Sequence, residues 1–210
     1  MISPLFTTIV ITFLIAFIYL KSTANKVSIH EDKVFEKERE ANNTRKQSLD
    51  NLPYITVPIE ELPLDATDDD ALNELQDTIR SLSDKKIVNF TGISNTDLKL
   101  NYGAANLPEL TEYDQNYTTL VTALNDYGNL LINKEETKKA KTVLEYAVSC
   151  HTDIKASYVA LASIYAENFE FDQIDHLIEI AEGLNSLMKE PIIRALKEKS
   201  DLSNYISEIH

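Results

Sequence analysis

The chain has 210 residues, of which 43% are hydrophobic and 26% charged, and this length allows one ordinary soluble domain plus an additional segment. The formal net charge of the chain is −14, and the region after residue 50 carries −15, because its 13 basic residues are outnumbered by 28 acidic ones. Because such a domain repels phosphate backbones, we expect no nucleic-acid partner, although solubility alone also explains an acidic surface.

Residues 1–20 contain no charged side chain, and the stretch from Leu5 to Leu20 is almost wholly apolar. As a helix rising about 1.5 Å per residue, twenty residues span roughly 30 Å, the hydrocarbon thickness of a bilayer. The sequence therefore predicts a transmembrane anchor over residues 1–20. A cleaved secretory signal is the alternative, but signals have a basic start and a shorter apolar run.

Basic residues follow this apolar segment, and none precedes it. They are Lys21, Lys26, Lys33, Lys37 and Arg39. Lys and Arg beside a span resist translocation, so the charge pattern predicts a single-pass membrane protein with its N-terminus outside and its C-terminal domain in the cytoplasm. The lone cysteine allows no intramolecular disulfide, which is compatible with a reducing compartment.

Residues 21–66 are predicted to form a charged spacer followed by an extended strap that contains prolines. Up to residue 50 this region mixes seven basic with six acidic residues. Pro53, Pro58 and Pro63 then interrupt any regular element, because proline lacks a backbone donor and disfavours helix in the residue before it. We expect the strap to lie over the following domain without forming a sheet.

Residues 67–210 are predicted to be a helical domain. Thr67 is placed to cap its first helix, with Asp70 three residues later in a capping-box spacing. Ser94 and Gly103 are placed to begin and end a short helix of about two turns. The first helix carries one apolar stripe, formed by Leu72, Leu75, Ile79 and Leu82.

Further helices are predicted from Pro108 to the turn near Asn133, and then over about 135–149, 154–167 and 172–184. Residues 186–210 are predicted to form a C-terminal capping hairpin of two short helices. Pro191 would begin the first of these helices and Ser200 the second.

A pattern of small and large apolar residues repeats after 34 positions. Its first copy comprises Leu124, Tyr127, Gly128, Leu131, Ala140, Leu144 and Ala147. Its second copy comprises Tyr158, Leu161, Ala162, Tyr165, Ile174, Ile178 and Ala181. Period and pattern resemble the tetratricopeptide repeat, a helix-turn-helix unit that stacks on copies of itself.

The resemblance places two units at about 117–150 and 151–184, and it implies an all-α fold in which a short helical-hairpin solenoid follows the N-terminal transmembrane helix. Leu131 and Ile174 depart from the usual Tyr and Ala of the family. Two units are fewer than the three that such stacks normally need, so we expect flanking helices to complete the core. An unrelated array of helical hairpins is the alternative, and the arrangement is similar to that of membrane-tethered bacterial tetratricopeptide proteins.

In this family the first helix of each unit lines a concave groove that binds protein partners. By alignment, the groove residues are expected to be Thr122, Asn125, Asn129, Asn133, Val159, Ser163 and Glu167. Asparagine amides can both donate to and accept from the backbone of an extended peptide, although a solvated polar face gives the same pattern. Because the second unit offers no Lys or Arg there, an apolar or basic peptide is favoured over a C-terminal carboxylate.

Residues for catalysis are scarce. The four histidines lack the spacing of metal ligands, Cys150 has only His151 as a basic neighbour, and no glycine-rich phosphate loop exists. We therefore expect no enzyme activity, metal site, cofactor or small-molecule substrate. The sequence favours a membrane-tethered adaptor or scaffold that binds a protein or peptide. The alternatives are a structural subunit of a membrane complex assembled through the transmembrane helix and, second, an enzyme.

Overall fold

The computed structural model describes the backbone of residues 4–209 and the side chains of residues 12–21 and 32–201. All regular secondary structure in that part of the chain is helical, which confirms the all-α class. The helices are α1 (Pro4–Asn43), α2 (Asp70–Ser81), α3 (Asn95–Tyr102), α4 (Leu107–Asn133), α5 (Thr137–Ser149), α6 (Lys155–Glu167), α7 (Phe171–Glu182) and α8 (Lys189–Ile209), with one 3-10 turn at Ala104–Asn106.

Two compact units divide the chain, and the division is not sequential. The first unit combines Met1–Ser48 with Ser94–Leu107, and the second combines Leu49–Ile93 with Pro108–His210. The short helix α3 and the 3-10 turn therefore belong with α1, although the sequence places them inside the helical domain over 67–210.

The predicted transmembrane anchor over 1–20 falls mostly within α1, but residues 1–3 and the side chains of residues 1–11 lie outside the described part. Within the described part of the chain, no helix has the length and apolar content needed to cross a membrane. The large apolar side chains that are described in this segment are exposed, from 54% for Leu14 to 76% for Phe13. The helix then continues through the predicted charged spacer as far as Asn43.

Helix α3 has the ends that the sequence predicts. Ser94 caps it, because its Oγ accepts a hydrogen bond from the N–H of Asp97 at 3.2 Å. Gly103 ends it with φ 92°, a left-handed conformation that favours glycine. A Cβ at this position would lie 2.4 Å from the carbonyl oxygen of Arg45, so a side chain is excluded there.

The first unit is held together by polar contacts between α3 and the C-terminal part of α1. Lys37 Nζ pairs with Asp97 Oδ1 at 2.7 Å. Lys99 Nζ pairs with Glu38 and donates to Asn42 Oδ1 at 2.9 Å. These contacts span residues 37–42 of α1, about one and a half turns, and they fix the register between the two helices.

The proline-containing segment over 52–64 belongs to the second unit and contains neither helix nor strand. Its backbone bonds to the rest of the unit, since Ile55 N donates to the Ile87 carbonyl at 2.9 Å. Tyr146 Oη donates to the Thr56 carbonyl at 3.1 Å, and Tyr127 Oη donates to the Pro63 carbonyl. Its buried apolar side chains are Leu52, Val57, Leu62 and Leu64.

The N-cap of α2 is Asp69, two residues after the predicted cap at Thr67. Asp69 Oδ1 accepts from Leu72 N at 3.0 Å. Thr67 Oγ1 instead accepts from Asp69 N at 3.3 Å and so stabilises the turn before the helix. Both residue types suit a cap, and the local pattern could not separate them.

The 34-residue pattern forms the core of the second unit. Every residue in its two copies is buried except Ile178, which is half-buried. Gly128 of α4 packs directly against the side chain of Leu144 of α5. A Cβ on Gly128 would lie 2.7 Å from Leu144 Cγ and Cδ2, so α4 and α5 could not pack this closely around alanine.

The turn between α4 and α5 has a left-handed residue, Glu135, with φ 63°. Its N–H donates to the Ile132 carbonyl, and Glu136 N donates to the Leu131 carbonyl, both at 2.9 Å. These two bonds form a Schellman motif, which satisfies carbonyl groups at a helix C-terminus.

The same turn recurs 34 residues later between α6 and α7. Phe169 has φ 60°, its N–H donates to the Ala166 carbonyl at 3.2 Å, and Glu170 N donates to the Tyr165 carbonyl at 2.8 Å. The backbone therefore repeats with the same period as the side-chain pattern.

Helix α8 runs without interruption from Lys189 to Ile209, where the sequence predicts a hairpin of two helices over 186–210. Ser200 lies inside the helix, and its Oγ donates to Asp175 Oδ1 at 3.1 Å instead of capping a new element. No glycine or proline follows Pro191, so nothing breaks the helix. Side chains after residue 201 lie outside the described part.

Helix α8 also extends the repeat. Ile192 and Leu196 stand 34 residues after Tyr158 and Ala162, and both are fully buried. The other positions depart from the pattern, since Ala195, Leu196 and Lys199 stand 34 residues after Leu161, Ala162 and Tyr165.

Candidate peptide-binding groove

A groove of about 380 Å³ separates α4 from α6. Helix α4 and the start of α5 contribute Asn129, Ile132 and Thr137. Helix α6 contributes Ala156, Val159, Ala160, Ser163, Ile164 and Glu167. Small and aliphatic side chains therefore form most of its surface, while Asn129, Thr137 and Ser163 supply polar groups from both walls and Glu167 supplies a carboxylate at the end of α6.

The seven residues that the sequence predicts for the groove are only partly brought together. Four of them line it, namely Asn129, Val159, Ser163 and Glu167. Thr122 instead lines a separate depression of about 340 Å³ beside α2. Asn133 is exposed at the end of α4 and Asn125 is half-buried, and neither lines the groove.

Asn125 joins α4 to α6 through its side chain. Its Oδ1 accepts a hydrogen bond from Ser157 Oγ at 3.0 Å, and Ser157 is fully buried. Its Nδ2 donates to Asp126 Oδ1 at 2.9 Å. Because these partners occupy the amide, Asn125 holds the two walls of the groove together and does not face a ligand.

Asn129 and Ser163 line the groove, and each keeps acceptor capacity that its own hydrogen bonds do not use. Asn129 Nδ2 donates to the Asn125 carbonyl at 2.8 Å, while no described residue bonds to its Oδ1. Ser163 Oγ donates to the Val159 carbonyl at 2.9 Å and keeps its lone pairs. Both oxygens can accept from the N–H groups of an extended peptide.

Glu167 is the one ionisable side chain among the lining residues of the groove. It is exposed, and among the side chains that the structure describes it has no ion-pair partner. Neither α4 nor α6 has a basic residue in its last turn. The partial negative charge at both helix C-termini therefore adds to the field of this carboxylate.

A second depression, of about 660 Å³, shares Thr137 and Glu167 with the groove and continues it past the start of α5. Two of its lysines are engaged in ion pairs. Lys139 pairs with Glu136 at 2.6 Å and with Asp65 at 3.2 Å, and these hydrogen bonds raise the pKa of Lys139. Lys141 pairs with Glu170.

Sequence reasoning missed Ile132, Ala160 and Ile164, which supply much of the apolar surface. Ala156, Ala160 and Ile164 form an i, i+4, i+8 row on α6, and that spacing was the available signal. The 34-residue alignment instead selected Val159, Ser163 and Glu167. These residues stand 34 positions after Asn125, Asn129 and Asn133, the polar residues of α4.

Groups with catalytic potential lie away from the groove. Cys150 is buried, and this burial raises the pKa of its thiol and suppresses the reactive thiolate. Within the described residues, no group of three or more His, Cys, Asp or Glu side chains is placed to hold a metal ion.

Comparison with known proteins gave no match to this chain among protein-family models, curated proteins or solved structures.

Proposed function

We propose that this protein is a membrane-tethered adaptor or scaffold that captures an extended peptide of a partner protein in the α4–α6 groove. In this proposal α4–α5 and α6–α7 are two tetratricopeptide-like units, with α8 covering the end of the stack. Support comes from the 34-residue pattern in the core and from the Schellman turn that recurs with the same period. In this proposal the protein catalyses no reaction and binds no cofactor, small-molecule substrate or nucleic acid.

The observation that carries the proposal is the surface of the groove itself. Ala160 and Ile164 offer apolar contacts, while Asn129 and Ser163 offer acceptor oxygens beside them. An extended peptide presents alternating side chains and outward N–H groups, so one strand can use both surfaces together.

We further propose that residues 1–20 hold the protein in a membrane, with the N-terminus outside and residues 49–210 in the cytoplasm. The support is the lack of charge over 1–20, the exposed apolar side chains from Phe13 to Leu20, and the basic residues from Lys21 onward. In sealed vesicles with the cytoplasmic face outward, added protease should digest the C-terminal domain. Protection of that domain would reverse the orientation.

Selection of a displayed random-peptide library on the purified protein tests the groove. The variant Ala156→Trp fills the groove at an exposed position, and we expect it to weaken the selected peptides at least about tenfold. Ala71→Trp places the same side chain at an exposed position of α2 and is expected to leave binding unchanged. Equal binding to both variants, or no enriched peptide, would refute the groove proposal.

A structural subunit of a membrane complex is the second candidate, since the exposed apolar side chains of α1 could equally contact other membrane helices. Deletion of residues 1–48 separates the two functions and keeps the second unit whole. An adaptor should still capture its partner through residues 49–210, whereas a subunit assembled through α1 should lose its complex.

A further inference from the structure

We propose that the α4–α6 groove selects its ligand by a basic residue held at Glu167. The ligand would be an extended segment of about five residues, with small apolar side chains and a Lys or Arg at the end next to Glu167. This inference rests on the proposed function of the groove as a peptide-binding site, and it specifies the chemistry of the peptide.

The length of the segment follows from the geometry of α6. The groove follows this helix from Ala156 to Glu167, which at about 1.5 Å per residue is roughly 16 Å. A peptide in extended conformation advances about 3.3 Å per residue, so about five residues cover the groove.

The apolar character of the segment follows from the groove's lining. Ala156 and Ala160 are small, and Ile132, Val159 and Ile164 are half-buried or buried aliphatic residues beside them. Side chains such as Ala, Val or Thr can contact this shallow surface on alternate positions. A charged side chain over it would lose hydration and gain no partner.

The basic residue follows from the charge at the end of the groove. Glu167 has no cation bound to it among the described side chains, and the C-termini of α4 and α6 lie without basic residues in their last turns. In the adjoining depression Lys139 and Lys141 are already paired with carboxylates.

The remaining charges around the depression next to the groove do not reverse the preference for a basic residue. Glu135 and Lys138 are both exposed and have no ion-pair partner in the described part of the chain, so they offset each other. The net charge of −14 over the whole chain further favours approach of a cationic segment.

Fluorescence anisotropy with defined peptides tests the inference on the intact protein in detergent. The probes are labelled, amidated Ala-Val-Ala-Val-Lys and its reverse, Lys-Val-Ala-Val-Ala, so that both directions of the bound strand are tested. The matched probes replace Lys with Glu. We expect at least one lysine probe to bind about tenfold more tightly than its glutamate counterpart.

The variant Glu167→Gln should reduce that preference to about twofold or less, at an unchanged melting temperature. Glu182→Gln is the matched control, because Glu182 is also the exposed last residue of a helix but lies outside the groove. The control should keep the full preference. Loss of preference in both variants would assign the effect to overall charge and overturn the inference.

Two further outcomes separate this inference from the proposed function. If library-selected peptides bind the groove but the lysine probes bind no better than the glutamate probes, the basic specificity is wrong and the peptide-binding function stands. If no peptide of either kind binds, both fail.

Discussion

Asn125 and Asn129 lie one turn apart on α4, yet their side chains have different surroundings. Asn125 accepts from the buried Ser157 hydroxyl, whereas Asn129 lines the groove and its Oδ1 accepts no hydrogen bond from a described residue. From the sequence alone the two residues are equivalent, because both are expected to line the groove. The contact that distinguishes them joins residues 32 positions apart, and no local pattern encodes it.

Replacing each asparagine with alanine should separate these roles. Asn125→Ala leaves the buried Ser157 hydroxyl without its partner, and we expect it to lower the free energy of unfolding by about 1–2 kcal/mol. Asn129→Ala should change it by less than about 0.5 kcal/mol and weaken peptide binding instead. Urea denaturation and anisotropy measure the two effects. Equal destabilisation by both variants would contradict the assignment.

Asp69 should give the second unit a distinct sensitivity to acid. The hydrogen bond from Lys134 Nζ, followed by that from Leu72 N, holds the pKa of Asp69 below its ordinary value of 3.8. A depressed pKa stabilises the native state above the ordinary value, and this contribution is lost as the pH falls below 3.8 through the native pKa.

We therefore expect Asp69→Asn to flatten the fall in stability between about pH 4.5 and pH 2.5, measured by urea denaturation at each pH. Asp68→Asn is the control, because Asp68 is exposed and makes no hydrogen bond or ion pair with described residues. An Asp69→Asn curve parallel to that of the unmodified protein would show that the pair with Lys134 contributes nothing.

At the scale of the helix, local chemical signals predicted the ends of elements well. Ser94 and Gly103 bound α3, and the turn after Asn133 ends α4, because caps and left-handed residues act within a few positions. The same local signals are insufficient where two residues compete. Thr67 and Asp69 are both good caps, and in the structure Asp69 accepts the cap bond from the N–H of Leu72.

The recurrent Schellman turns use residues that pay a steric cost in the left-handed region. Glu135 has φ 63°, which glycine adopts freely. We expect Glu135→Gly to raise the free energy of unfolding by about 0.5–1 kcal/mol, because the strain removed exceeds the added chain entropy.

The same substitution should have the opposite sign inside a helix. Glu112 is exposed in the second turn of α4, and Glu112→Gly should lower the free energy of unfolding by about 1 kcal/mol. Thermal and urea denaturation of both variants provide the comparison. A loss of stability in Glu135→Gly would mean that the glutamate side chain stabilises the turn in a way that outweighs its strain.

At the scale of the whole molecule, the sequence indicated the helical class and the repeat but not the composition of the two units. The 34-residue pattern is periodic and therefore visible along the chain. The first unit depends on contacts between residues about 60 positions apart, such as Lys37 with Asp97. These pairs involve common charged residues, and nothing in their spacing marks them as partners.

This dependence makes the stability of α3 conditional on α1. Leu98 is buried, Gln47 N donates to the Tyr102 carbonyl at 2.9 Å, and Asn106 Nδ2 donates to the Gln47 carbonyl at 2.8 Å. Eight residues are too few for an isolated helix to persist in water. In a chain that lacks residues 1–48, α3 therefore loses the partners that keep it folded.

We expect deletion of residues 1–48 to leave the second unit folded and to melt α3 alone. Hydrogen exchange, followed by mass spectrometry, should show the amides of residues 95–102 exchanging as in an unfolded peptide, while those of α5, α6 and α7 keep their protection. In the full chain both groups should be protected. Protection of α3 in the shortened chain would show that α3 folds without α1, and general loss of protection would show that the second unit depends on the first.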